Sequence, residues 1–174
     1  YVIIDKPEQF RDKLFKDWLD LDCLGRIYVA REGINAQMNV PEHNWEKFIV
    51  TLNKYEELKH IPVKIAVEDD GKSFYKLTIK VREQIVADGL PIDEYDVTDV
   101  GQHLDAQQWN DAIEKGAIIV DMRNHYESEI GHFQNAICPQ SETFREELPE
   151  VKDMLKGCED KKVLLYCTGG IRCE

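Results

Sequence analysis

A short apolar run, Val163-Leu164-Leu165, follows Lys161-Lys162 and opens directly into Tyr166-Cys167-Thr168-Gly169-Gly170-Ile171-Arg172-Cys173. The run reads as a buried strand, and its loop limits what can surround it. Glycines allow several backbone N–H groups to turn toward one point, and Arg172 adds a full positive charge there. Both effects stabilise an anion on sulfur, so Cys167 is expected to titrate below the roughly 8.5 of a free thiol. A buried cysteine before an ordinary turn is the plain alternative. The Gly-Gly-x-Arg continuation argues against it.

Upstream, Ile118-Ile119-Val120 forms a second apolar run that ends in Asp121-Met122-Arg123. Asp105-Ala106-Gln107-Gln108 is a capping-box pattern that starts a helix through Trp109 and Ile113, and Gly116 ends it. Helical stretches are expected at Thr143–Leu148 and Val151–Leu155. Strands alternating with helices imply a parallel sheet with the cysteine at a strand's C-terminal end, where open α/β sheets bind ligands.

The first half has a different rhythm. Tyr1–Asp5 reads as a strand and Glu8–Leu21 as a helix with Phe10, Leu14, Phe15 and Leu19 along one stripe. Leu24–Arg31 and Ile34–Val40 read as strands joined by a turn at Gly33, Asn44–Leu58 as a helix, and Pro62–Glu68 as a strand. This β-α-β-β-α-β order is that of a ferredoxin-like α+β plait. Residues 74–87 form a further strand, with Tyr75, Leu77, Ile79 and Val81 on one side. Lys76, Thr78, Lys80 and Arg82 lie on the other, which reads either as a solvated outer face or as a basic stripe for phosphates.

Three regions follow: a plait over 1–87, an acidic linker over 88–101, and an α/β domain over 102–174. From Glu83 to Glu114 there is no Lys or Arg, and Asp88-Gly89-Leu90-Pro91 opens the linker. The formal net charge is −12, divided evenly between residues 1–100 and 101–174, so only local patches can meet a polyanion. No apolar run approaches the roughly 20 residues that span a bilayer, so no membrane partner is expected. Five cysteines without a C-x-x-C pair fit a reducing cytoplasm, and five histidines without ligand spacing offer no metal site. The chain lacks an initiating Met and stops where a helix should follow the cysteine loop, so it reads as a fragment with an incomplete second domain.

Four residues separate Cys167 from Arg172, one fewer than in the phosphate-wrapping loops of cysteine-dependent phosphatases. That loop, with Asp121-Met122-Arg123, Glu127, Gly131-His132-Phe133 and Ala136, resembles the rhodanese (sulfurtransferase) family. Together with Gly25-Arg26-Ile27-Tyr28-Val29-Ala30-Arg31-Glu32-Gly33-Ile34-Asn35-Ala36 and Thr143-Phe144-Arg145-Glu146, the pattern closely resembles the bacterial rhodanese-domain tRNA uridine hydroxylases. The resemblance implies an acylphosphatase-like plait followed by a rhodanese-like domain. It implies hydroxylation of wobble uridine 34 to 5-hydroxyuridine, with molecular oxygen as co-substrate and the tRNA anticodon region as partner. It makes Cys167 the essential residue, within a loop of Thr168, Gly169, Gly170, Ile171 and Arg172.

Asp121 and Arg123 read as supports for that loop, and His125 as a candidate base. Lys76, Lys80 and Arg82 are proposed for RNA from their alternation, not from the resemblance. Cys167 could add to C6 of uracil, pass oxygen on as a sulfenate, or carry a persulfide, with Cys173 as a candidate resolving thiol. A thiosulfate-type sulfurtransferase and a non-catalytic RNA- or protein-binding module are the competing classes.

Overall fold

The computed structural model describes residues 1–59, 61, 63–66, 73–91, 94–97 and 99–173. These fall into two compact units, Tyr1–Ile85 and Val86–Glu174.

In the first unit, α1 (Pro7–Leu19) begins with a proline at its N-terminus, where a missing N–H costs nothing. Its buried face is Phe10, Leu14 and Trp18, spaced four apart. Phe15 and Leu19, expected on that stripe, are instead 39% and 52% exposed. Trp18 takes their place because i, i+4, i+8 keeps one face of a helix on the sheet.

Strands β1 (Leu24–Ala30) and β2 (Gly33–Asn39) form an antiparallel hairpin, and β3 (Leu77–Val81) pairs parallel to β1, giving the order β2-β1-β3. Gly33 leaves the turn at φ 151°, a conformation that favours glycine. Ile27, Val29, Leu77 and Ile79 pack with the α1 face and with Phe48, Leu52 and Leu58 in one core.

Several sequence expectations need correction in this unit. Tyr1–Asp5 forms no strand, although the N–H groups of Val2 and Ile4 donate to Glu32 and Arg31 carbonyls. The helix expected over Asn44–Leu58 is divided into a 3₁₀ turn (Glu42–Asn44), α2 (Trp45–Leu52) and a second 3₁₀ turn (Glu56–Leu58). Asn53 ends α2, with its side-chain amide donating to the Ile49 carbonyl. The strand expected over 74–87 is confined to β3. Arg82 N–H donates to the Val29 carbonyl, and β1 then ends in its hairpin, leaving no further ladder to join. Tyr75 is 92% exposed, not turned inward. Of the expected strand Pro62–Glu68, residues 63–66 have no regular structure; Pro62, Val67 and Glu68 lie outside the described residues.

In the second unit, α3 (Ala106–Glu114) opens with the expected capping box. The Asp105 carboxylate accepts from Gln108 N–H, and the Gln108 side chain accepts from Asp105 N–H. Strand β4 (Ile118–Asp121) pairs parallel with β5 (Val163–Tyr166), and Ile137 bridges to Val120 in parallel sense.

Alternation sends the strand side chains to two faces. Ile119 and Leu164 pack with Ala112 of α3; Val120 and Met122 pack with Val151 of α5 (Phe144–Met154). The two helical stretches expected around Pro149 are one helix. Pro149 lies inside α5, beyond its first turn, so the helix gives up the bond to the Arg145 carbonyl there and continues to Met154.

Asp88, expected to open an exposed linker, is buried and accepts from Leu90 N–H at 2.8 Å. Limited proteolysis should therefore cut first within 94–101, beyond this anchored turn. First cutting within β1 or β2 would contradict the division into units.

Candidate active site

Parallel pairing of β4 with β5 brings Asp121 opposite Tyr166, so the segments after the two strands leave from one sheet edge. After β4 the chain forms α4 (His125–Ile130), capped by Asn124 and Glu127 in a capping box. After β5 it forms the loop 167–173, in which Gly169 and Gly170 both hold φ of 80°. Only glycine adopts that backbone conformation without strain, and it turns the loop's amides inward. Through Cys173 the loop consists of turns and bends; Glu174 lies outside the described residues.

Glu127 joins the two segments. Its Oε2 accepts from the Thr168 hydroxyl at 2.6 Å, and its Oε1 accepts from Arg172 Nη2 at 3.1 Å. Arg172 Nη1 also donates to Asn124 Oδ1 at 3.3 Å, and Asn124 N–H donates to Glu127 Oε1 at 3.3 Å. The Arg172 and Glu127 side chains are only 13% and 19% exposed, so this ion pair is weakly screened. Burial opposes ionisation of Glu127, but Thr168 and Arg172 hold its carboxyl below the ordinary range.

The Cys167 thiol is shifted down to about 5. Hydrogen bonding from the Cys173 thiol stabilises its sulfur anion most; burial opposes it, while the N–H groups of Arg172 and Gly170 and the Arg172 charge assist. Cys173 is shifted up in turn, because it donates to the Cys167 sulfur and is itself buried beside that negative charge. The pair therefore favours negative charge on the Cys167 sulfur, with the proton retained on Cys173.

Asp121 and Arg123 make a separate cluster. Arg123 Nε and Nη2 donate to the two Asp121 oxygens at 2.8 and 2.6 Å, the Tyr166 hydroxyl donates to Asp121 at 2.7 Å, and Arg123 Nη2 reaches the Gly131 carbonyl. Burial opposes ionisation of Asp121, yet Arg123 and Tyr166 keep its carboxyl below the usual range. His125 Nε2 lies 3.4 Å from a Glu129 carboxylate oxygen, and its Nδ1 is buried without a partner among the described residues. Lys76, Lys80 and Arg82 belong to the first unit. Among the described residues no cluster of three His, Cys, Asp or Glu is placed to hold a metal, and no helix is long and apolar enough to cross a membrane.

Sequence reading gave no role to Glu147. It lies on the face of α5 that also carries Val151, is 1% exposed, and neither carboxyl oxygen has a hydrogen-bond partner among the described residues. Desolvation raises its pKa from 4.5 to about 7; Arg172 lowers it, and Asp121, Cys167 and Glu150 raise it. The available signal was an acid three residues after Phe144 and four before Val151, on the apolar stripe of its helix.

The comparisons agree with both halves of this structure. The family model for the UPF0176 acylphosphatase-like domain matches residues 1–85, and that for the rhodanese-like domain matches residues 105–174. The chain joins a UPF0176 acylphosphatase-like domain to a rhodanese-like domain. Over 175 residues it is 55% identical to a protein of Leptospira interrogans serogroup Icterohaemorrhagiae serovar Lai, covering all of this chain and 48% of the relative. Proteins of Hamiltonella defensa and Yersinia enterocolitica are 49% and 48% identical over 176 residues, again all of this chain and 50% of each relative. All three relatives are named tRNA uridine(34) hydroxylase. The chain spans about half the length of the curated relatives it matches.

Glu147 yields a signed pH prediction. The native state keeps its proton up to about pH 7, whereas the unfolded chain loses it near 4.5, so stability falls as pH rises across that window. Glu147→Gln should be more stable than the parent at pH 8, by on the order of 3 kcal/mol, with the difference closing below pH 5. Denaturant titrations at the two pH values check this. An effect independent of pH would mean that the carboxyl stays ionised.

Proposed function

We propose that this chain is the plait and catalytic portion of a cytoplasmic tRNA hydroxylase that converts wobble uridine 34 to 5-hydroxyuridine, with molecular oxygen as co-substrate. The observation that carries this reading is the thiolate site at Cys167, in a chain whose relatives, matched over its whole length, bear that activity in their names.

Uracil C5 becomes nucleophilic once a nucleophile has added to C6. Cys167 is the nucleophile: its sulfur lone pair forms the S–C6 bond, and the C5–C6 π electrons move onto the C5–C4–O4 enolate. Loop N–H groups and Arg172 stabilise the thiolate before attack and after expulsion. One atom of O2 is incorporated at C5, and the other leaves as water with two electrons and two protons from an external dithiol reductant, which leaves as its disulfide. Loss of the C5 proton and departure of the thiolate restore the ring. Cys173 keeps the resting sulfur ionised. Asp121 and Arg123 hold the end of β4 and the Gly131 turn, which keeps α4 and Glu127 in place.

In the full-length protein, Cys167→Ser should abolish 5-hydroxyuridine in tRNA, read by nucleoside mass spectrometry. The parent should form a denaturation-resistant adduct with tRNA carrying 5-fluorouridine at position 34, since fluorine blocks the final loss from C5. Thiosulfate-to-cyanide sulfur transfer without any change in tRNA nucleosides would favour the sulfurtransferase class instead.

A further inference from the structure

We propose that the face of the three-stranded sheet opposite its helices is a docking platform for single-stranded RNA, centred on Tyr28 and flanked by Arg26, Lys80 and Arg82. This rests on the reading of tRNA as substrate and names where its unpaired segment is held.

The strand register builds the platform. Ile27 and Val29 of β1 enter the core, so Arg26 and Tyr28 point to the other face. Arg26 stands beside Gln37 of β2 and Thr78 of β3; Tyr28 stands beside Asn35 and Lys80. Arg82 folds back so that its guanidinium carbon lies 5.5 Å from the centre of the Tyr28 ring. The face thus presents one aromatic ring, three cations and two side-chain amides, and its paired positions carry no acid. In a chain of 34 acids and 22 bases, three cations whose strand partners carry no acid are a strong local departure from the whole.

Among the described residues, Arg26, Lys80 and Arg82 have no carboxylate within ion-pair distance. Their charges are therefore available to a partner. Each is exposed, while Tyr28 is half-buried. Lys76, at the entry to β3, is exposed as well, and its carbonyl accepts from Gly25 N–H.

The chemistry favours RNA over an acidic protein. Cations two residues apart on one strand are about 6–7 Å apart, and neighbouring strands are about 4.8 Å apart, a spacing that follows a phosphate chain. A base has a π-face for Tyr28 and for the planar Arg82 guanidinium, and an aromatic ring set among cations is how sequence-tolerant single-strand binding is built. Asn35 and Gln37 can pair with base edges. Asn35 already donates to the Ile85 carbonyl, which fixes its amide within the platform.

The test uses the full-length protein and a tRNA transcript with uridine at position 34. In Arg26→Gln/Lys80→Gln/Arg82→Gln, affinity should fall at least tenfold at low salt, and the slope of log K against log salt should shrink by about 2, at about 0.7 per lost phosphate contact. Tyr28→Ala should weaken binding about tenfold with little change in slope, and Tyr28→Phe should restore it. Alkylation of Cys167 should proceed at the parent rate in every variant, which shows that the rhodanese-like domain is intact. Parent-like affinity and slope in the triple variant would overturn the platform while leaving the hydroxylase reading standing. A loss of affinity with an unchanged slope would also overturn it. Failure of the parent itself to bind tRNA would overturn both.

Discussion

Glu127 is tied at once to the start of α4 and to the loop after β5, and the site depends on that double attachment. One carboxylate oxygen takes the Thr168 hydroxyl and the other takes Arg172, while the same side chain completes a capping box with Asn124. Without it the loop would have two glycines, no anchor for the Thr168 hydroxyl, and only the longer Arg172–Asn124 bond at its far end. Glycine loses more conformational freedom on ordering than any other residue, so such a loop is costly to hold in one conformation. A charge-assisted bond to Arg172 and a short bond to Thr168, each of roughly 1.5–3 kcal/mol, are of the size needed to offset that.

The fold makes this attachment available through strand direction. Parallel strands release their following segments at the same edge, so β4 and β5 bring residues about 40 apart in sequence into hydrogen-bond contact. Asp121 reinforces the arrangement from below. It is fully buried, but two Arg123 nitrogens and the Tyr166 hydroxyl satisfy it, so its charge costs little. Glu147 shows the opposite outcome. It is equally buried but unpartnered among the described residues, and desolvation keeps it protonated where Asp121 stays ionised. A neutral Glu147 adds no second negative charge near Cys167, which leaves the Arg172 field for sulfur.

Much of this was legible in the sequence where one local rule dominated. Asp105-x-x-Gln108 fixed the start of α3, the apolar run 163–165 located β5, and Cys167 to Arg172 marked the site. The misreadings arose where tertiary contacts decide. Periodicity selected Phe15 and Leu19 instead of Trp18, because it cannot tell which of two adjacent stripes meets a sheet. Alternation extended β3 to both sides of Leu77–Val81, because strand ends are set by where the neighbouring strand stops. Tyr28 and Arg26 escaped notice because the strand stripe at 76–82 was read alone; their place beside it required the β1–β3 register. Glu127 was visible only as a motif position, since its partners lie over forty residues away.

The most direct measurement is the pH dependence of Cys167 alkylation in the full-length parent and in Glu127→Ala. If Glu127 acts by holding Thr168 and Arg172, the parent midpoint should lie well below the roughly 8.5 of a free thiol, and the substitution should move it up toward that value. If Glu127 were only a nearby negative charge, its removal would move the midpoint further down. A parent midpoint at or above about 8.5, or a downward shift in Glu127→Ala, would contradict a thiolate site organised by this carboxylate.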